Sequence, residues 1–179
     1  MAIDVKRIIV DTMFDLSREK PLAKVSILDI SKRSGISRQT FYNHFKDKND
    51  LIRWIFLSTL DRWDLVEKEG YYFYLCDLYR KAQENRQFLR QACMLSGQNS
   101  LEDEIYLITY RYHRRHILTQ VTEDMLTDQI EYALRYNAYG STHCYIRWLI
   151  DKDKVSIPPE AMALYAHESM PQIIRPYFK

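Results

Sequence analysis

The stretch Ser26–Leu51, SILDISKRSGISRQTFYNHFKDKNDL, leaves the chain few ways to fold. Ser26 and Asp29 stand three apart around Ile27 and Ile30, the spacing at which a serine hydroxyl and a carboxylate cap each other's backbone N–H groups and start a helix. Gly35 follows Ser34 and supplies the left-handed backbone that a sharp stop needs. Ser37 then opens a second helix, with Phe41 and Phe45 four apart and therefore on one face. Asp47 and Asp50 repeat the capping spacing ahead of Leu51, Ile52 and Ile55. A helix, a short turn and a second helix form the arrangement that places the second helix in a DNA major groove.

The second helix carries side chains suited to that groove. Arg38 and Gln39 are the types that make paired hydrogen bonds to guanine and adenine edges. Thr40, Tyr42, His44 and Lys48 are types that reach phosphate oxygens and set register. Ser26, Ser37, Asn43 and Lys46 complete the candidate contact set. The competing reading is an ordinary solvated helix face, and charge argues against it. From Arg18 to Lys48 there are eight Lys/Arg against three Asp/Glu, whereas the whole chain carries only +2.

These residues resemble the helix-turn-helix signature of the TetR-type transcriptional regulators. Gly35, Ser37, Thr40, Tyr42, His44, Phe45, Lys48 and Leu51 fall in that family's order and spacing, and the match covers roughly the first third of the chain. The resemblance implies that Thr40, Tyr42, His44 and Lys48 contact backbone or bases while the start of the Ser26 helix touches phosphates. Ser31 and Ser34 replace the usual alanines and Phe41 a common leucine, which are packing changes. Gln39 stands where a small residue is frequent and so alters which operator is read.

The rest of the chain reads as helical. With only 4 Gly and 5 Pro in 179 residues, turns are scarce and long helices are expected. No run alternates long enough to require a sheet. An amphipathic helix from Val5 leaves at Pro21. Another is expected from Asp47 to about Glu69, with Trp54 and Trp63 as core anchors and Gly70 as its end. Five more are expected over 72–82, 86–95, 101–121, 127–151 and 159–177, with breaks at Ser96-Gly97 and around Val155–Pro159 and a kink or stop at Pro171. The expected fold is therefore all-α: a three-helix DNA-binding unit over 1–53 and a dimerising helical bundle over 54–179.

Beyond Gly70 the chain changes character, holding 13 of its 14 tyrosines. In the helix from Thr127, Ala133, Asn137, Gly140 and Cys144 form a row of small side chains beside a stripe that includes Ser141 and Trp148. With Met162, Ala166 and Met170 they are the candidate dimer interface, intrachain packing being the alternative. Family resemblance favours the interface, since members pair through their last two long helices. Two-fold symmetry would set two reading helices about 34–36 Å apart on a palindromic operator.

The resemblance also implies control by a small ligand in a second-domain cavity. Tyr106, Tyr110, Tyr132, Tyr136, Tyr139 and His143 are candidates to line it, or to pack a core with wet hydroxyls. The run Arg111, His113, Arg114, Arg115 and His116 would hold an anion or make a solvated face. Two histidines without a third ligand do not make a metal site, and no metal or cofactor is expected. A looser resemblance joins Gly140, Trp148, Pro158-Pro159 and Glu160-Ala161 to regulators linked to dihydroxyacetone kinase operons, which implies a signal delivered by a partner protein.

Cys76, Cys93 and Cys144 have neither paired nor metal-type spacing and read as reduced thiols, with a redox sensor as the alternative. No leader pattern opens the chain, and no apolar run approaches the ~20 residues of a membrane span, so a cytoplasmic setting is expected. No nucleophile–base signature or phosphate loop suggests an enzyme. The expected function is a dimeric DNA-binding regulator, a repressor on family grounds. An adaptor or co-activator of the same fold that does not respond to a small ligand is the alternative.

Overall fold

The structure is a computed structural model describing residues 4–60, 64–95, 101–151 and 157–178; every structural statement below concerns these residues. Helix α1 (Val5–Glu19) starts where Asp4 accepts the Arg7 N–H, and it buries Ile9, Met13 and Leu16 at three-to-four spacing. A single 3-10 turn (Leu22–Lys24) follows Pro21. Helix α2 (Ile27–Ser34) begins with the expected reciprocal cap: the Ser26 N–H donates to Asp29 at 2.8 Å, and the Asp29 N–H donates to the Ser26 hydroxyl at 3.2 Å. Gly35 ends it at φ 73°, where a side chain would be strained.

Helix α3 (Arg38–Tyr42) is capped by Ser37, whose hydroxyl accepts the Thr40 N–H at 3.0 Å. It is short because the His44 N–H closes onto the Phe41 carbonyl, tightening the last turn. Helix α4 (Lys48–Leu60) is opened by Asp47, which accepts the Asp50 N–H. Whether it joins α5 (Asp64–Glu69) involves 61–63, outside the described residues, as does the expected anchor Trp63.

Gly70, at φ 97°, turns the chain into α6 (Tyr71–Glu84), and Asn85 separates it from α7 (Arg86–Cys93). Helix α8 (Leu101–Leu118) packs along α9 (Asp128–Ile150), which Thr127 caps. The expected break at Ser96-Gly97 and most of the one before Pro159 fall outside the described residues. Helix α10 (Pro159–Glu168) lies against α6. It stops well short of the expected Tyr177, because Pro171 has no N–H and cannot extend a helix. The following strap instead buries Met170, Ile174 and Phe178 at four-residue intervals.

One continuous apolar core runs from Ile9 to Phe178 through both halves of the chain. Helix α7 is the block between them. The Gln91 side chain accepts the Leu22 N–H at 2.7 Å and donates to the Ser17 carbonyl at 3.0 Å, and Phe88 packs on Phe14. No described helix is long and apolar enough to cross a membrane.

Candidate nucleic-acid interface

Helix α3 stands out from the body of the protein on two buried rings. Phe41 and Phe45 are almost fully enclosed, with centroids 5.9 Å apart, and they fix the rotation of the helix about its axis. Arg38, Gln39, Tyr42, Asn43 and His44 consequently face solvent. Thr40 is half-buried, its hydroxyl 2.8 Å from that of Ser37. The Gln39 amide donates to the Asn43 side-chain oxygen at 3.3 Å.

Ser26 and Lys46 are also exposed near this face. The Ser26 hydroxyl donates to Asp29. Lys20 and Ser26 together hold the Asp29 carboxyl well below the usual carboxylate range, Lys20 contributing most. Lys48 differs from the rest. Its ammonium donates to the Leu22 and Ala23 carbonyls at 2.9 and 3.0 Å, and partial burial pulls its pKa down. Two of its three N–H groups are thus occupied in tying α4 to the turn before α2, leaving one for a phosphate. Trp54 is not a core anchor: it is 39% exposed, and the Lys6 ammonium lies over its ring at 4.1 Å.

The second-domain expectations need larger corrections. Tyr132, Tyr136, Tyr139 and His143 do not line a cavity; they lie on the outer face of α9. Tyr106 and Tyr110 stack on each other, and the Tyr110 hydroxyl donates to Glu131 at 2.7 Å, so they join α8 to α9. A partly open space among α4, α6, α8, α9 and α10, about 40 Å³ in volume, is lined by Tyr71, Tyr74, Tyr79, Tyr112, His113 and Tyr145, among others. The helical period alone could not separate these tyrosines from the exposed ones, since both sets lie on helices rich in aromatic residues.

Of the candidate interface, Ala133, Asn137, Trp148, Met162 and Met170 are buried within the monomer, and Ser141 and Ala166 are half-buried. They pack the chain's own helices. Gly140 and Cys144 remain on the surface, continuous with the Tyr132–Tyr136–Tyr139 stripe. The small-residue row therefore lies at the edge of an exposed aromatic face, and the candidate surface is rotated by part of a turn from the one expected.

The basic run on α8 is also resolved by packing. Arg114 bonds Glu131 at 2.6 Å and also pairs with Glu123, so it braces α8 against α9. His116 meets the Tyr177 carbonyl at 2.9 Å. His113 is enclosed, its Nε2 2.9 Å from the Tyr71 hydroxyl and its Nδ1 3.4 Å from the Asn137 amide. No metal-binding cluster forms among the described residues.

Burial, with a smaller contribution from the neighbouring His116, pushes the His113 pKa down from 6.5 to about 3. An unfolded chain takes up a proton there as pH drops through 6.5, whereas the folded chain refuses it until about pH 3. His113 therefore makes stability fall with acid across that window, with a slope approaching about 1.4 kcal/mol per pH unit in its middle. Urea unfolding at pH 4–6 is expected to show this slope and His113→Gln to lose it; equal slopes would refute the assignment.

Comparison with known proteins agrees with this geometry. Residues 9–55 match the model described as "Bacterial regulatory proteins, tetR family", and residues 71–172 match "Transcriptional regulator C-terminal region". The HTH-type dhaKLM operon transcriptional activator DhaS of Lactococcus lactis subsp. lactis (strain IL1403) is 31% identical over 94 residues. That match covers 50% of this chain and 49% of the relative, about half the length of each. The solved structure of a dihydroxyacetone kinase operon activator DhaS superposes with a TM-score of 0.74 at 21% identity, covering 99% of this chain and 100% of that one. A TetR transcriptional regulator from Rhodococcus sp. RHA1 gives 0.59 at 22% identity, covering 89% and 91%. With both halves matched, the chain belongs to the tetR family of bacterial regulatory proteins and is a transcriptional regulator.

Proposed function

We propose that the chain acts as a homodimer on a palindromic operator, with α3 of each protomer in a major groove. The observation that carries this reading is the division of α3: Phe41 and Phe45 are sunk in the core, while Arg38, Gln39, Tyr42, Asn43 and His44 are all exposed. Arg38 and Gln39 read base edges; Tyr42, Thr40, His44, Lys46, Ser26, Ser37 and the remaining Lys48 N–H hold phosphates. The functional division of the chain lies near residue 53, within α4, so that one helix belongs to both units.

The exposed α9 stripe of Tyr132, Tyr136, Tyr139 and Gly140 is the self-association surface. Gly140 has no heavy atom within 4 Å of an added Cβ, which leaves room for a second helix. Signals reach the reading helices through α4, whose carbonyl at Leu60 accepts a hydrogen bond from the Tyr74 hydroxyl at 3.3 Å. A ligand or partner protein acts there only through unequal affinity for two forms. The relative named as an operon activator supports activation as the sign of control, in place of the repression expected from family grounds.

Gel-shift titration of the chain on its own upstream DNA across a salt series tests the reading. Sequence preference with steep salt dependence is expected; no retention at low salt would instead indicate an adaptor. Tyr42→Phe is expected to weaken all sequences alike, whereas Arg38→Ala relaxes base preference by about 1–3 kcal/mol at one position. Equal loss on specific and random DNA for Arg38→Ala would contradict its role.

A further inference from the structure

The hydrogen bond between Gln39 and Asn43 points to more than two independent exposed amides. We infer that Asn43 is a positioning and specificity residue: its side-chain oxygen fixes the Gln39 amide to read adenine, and its own amide nitrogen reads the adjoining base pair. This rests on the proposed placement of α3 in the major groove.

The bond uses one of the two N–H groups on the Gln39 amide, donated to the Asn43 oxygen at 3.3 Å. Gln39 is exposed, so its second N–H and its oxygen are left as the donor and acceptor that adenine N7 and N6 require. Glutamine is among the side chains that lose most rotamer freedom when held, so holding it before DNA arrives removes part of that cost. Asn43 is well placed to do the holding. Its backbone is helical at φ −70° and ψ −18°, and its own N–H donates to the Gln39 carbonyl at 3.1 Å. The two residues are therefore tied through both backbone and side chain.

With its oxygen turned to Gln39, Asn43 presents an NH₂ group bearing only donors. In the major groove these match guanine O6 and N7 or thymine O4. Their hydrogen bond holds the two amide groups 3.3 Å apart, close to the spacing of about 3.4 Å between base pairs. The two amides thus fall on neighbouring pairs: adenine at the first, an acceptor-bearing base at the second.

The test is competition binding of the full chain to an operator obtained by selection in vitro, and to every single-base variant at these two pairs, at one salt concentration. Asn43→Ala is expected to lower discrimination for adenine at the first pair by about fivefold or more, and to abolish preference at the second. Asn43→Asp keeps the acceptor for Gln39 and removes the donors. It is expected to retain the adenine preference and to shift the second pair toward cytosine, whose N4 amine is a donor.

Adding Asn43→Ala to Gln39→Ala should cause no further loss at the first pair. Salt dependence on random DNA should be the same for Asn43→Ala as for the wild type, which separates this role from damage to the fold. Unchanged adenine discrimination in Asn43→Ala, additive losses in the double variant, or Asn43→Asp behaving as Asn43→Ala at the first pair would each overturn the inference while leaving the regulator intact. A wild-type chain that selects no sequence would overturn the DNA-reading function itself.

Discussion

Tyr136→Arg is expected to leave the chain folded but monomeric, and to weaken operator binding by about two orders of magnitude or more. Tyr136 is 66% exposed and stacks within the chain on Tyr132, itself 71% exposed, with centroids 6.4 Å apart. Replacing so exposed a ring changes monomer stability by only about 0.5 kcal/mol. On a surface that meets its own copy, however, the substitution places two guanidinium groups near a two-fold axis, where they repel each other and demand solvation. Loss of the dimer converts joint engagement of two half-sites into single-site binding, which forfeits the effective concentration of the second reader. Sedimentation or light scattering would report the mass, and titration of full and half operators the affinity. A variant that stays dimeric would show that a different surface pairs the protomers.

Trp148→Ala is expected to act in the opposite way, lowering stability by about 3–5 kcal/mol. Trp148 is fully enclosed; its indole N–H donates to the Ile157 carbonyl at 3.2 Å, and its ring meets Tyr79 edge-on at 5.2 Å. The Arg86 guanidinium covers the ring at 4.5 Å and also donates to the Trp148 carbonyl. Alanine would leave a cavity between α6, α7 and α9, with the Ile157 carbonyl short of a donor. The expected fall in Tm is roughly 6–20 °C for a chain of this size, measured at fixed protein concentration because association contributes to apparent stability. A change below 1 kcal/mol would mean that Trp148 is not the anchor its burial implies. The pair of variants separates the two faces of α9: one side chain holds the monomer together, the other meets a second copy.

The reading unit was legible in the sequence because its structure is local. Ser26 with Asp29, Gly35, Ser37 with Thr40, and Asp47 with Asp50 each act within four residues, and each makes its expected turn or cap. The Phe41–Phe45 spacing likewise sets which side of α3 is buried. Lys48 was harder to read. Its charge suggests a phosphate, but its partners at Leu22 and Ala23 lie some 25 residues away, and nothing near it in the sequence names them.

The second domain shows the same limit on a larger scale. The α9 pattern identified a helix with a close-packing side but not the object packed against it. Ala133, Asn137 and Trp148 are small or apolar whether they meet α6 and α8 or another protomer. Tyrosine is equally ambiguous, since its ring suits a core and its hydroxyl suits solvent; Tyr145 is buried while Tyr139 is 64% exposed on the same helix.

The sequence by itself determined the helical class, the caps and turn of the reader, and the family, since each follows from side chains acting on backbone within a turn or two. Only the tertiary structure decided that α10 lies on α6, that His113 is enclosed while His143 is not, and which side of α9 is left outward. Those outcomes depend on which distant helices compete for the same apolar face, and burial goes to the arrangement that removes most apolar surface from water while pairing the buried polar groups.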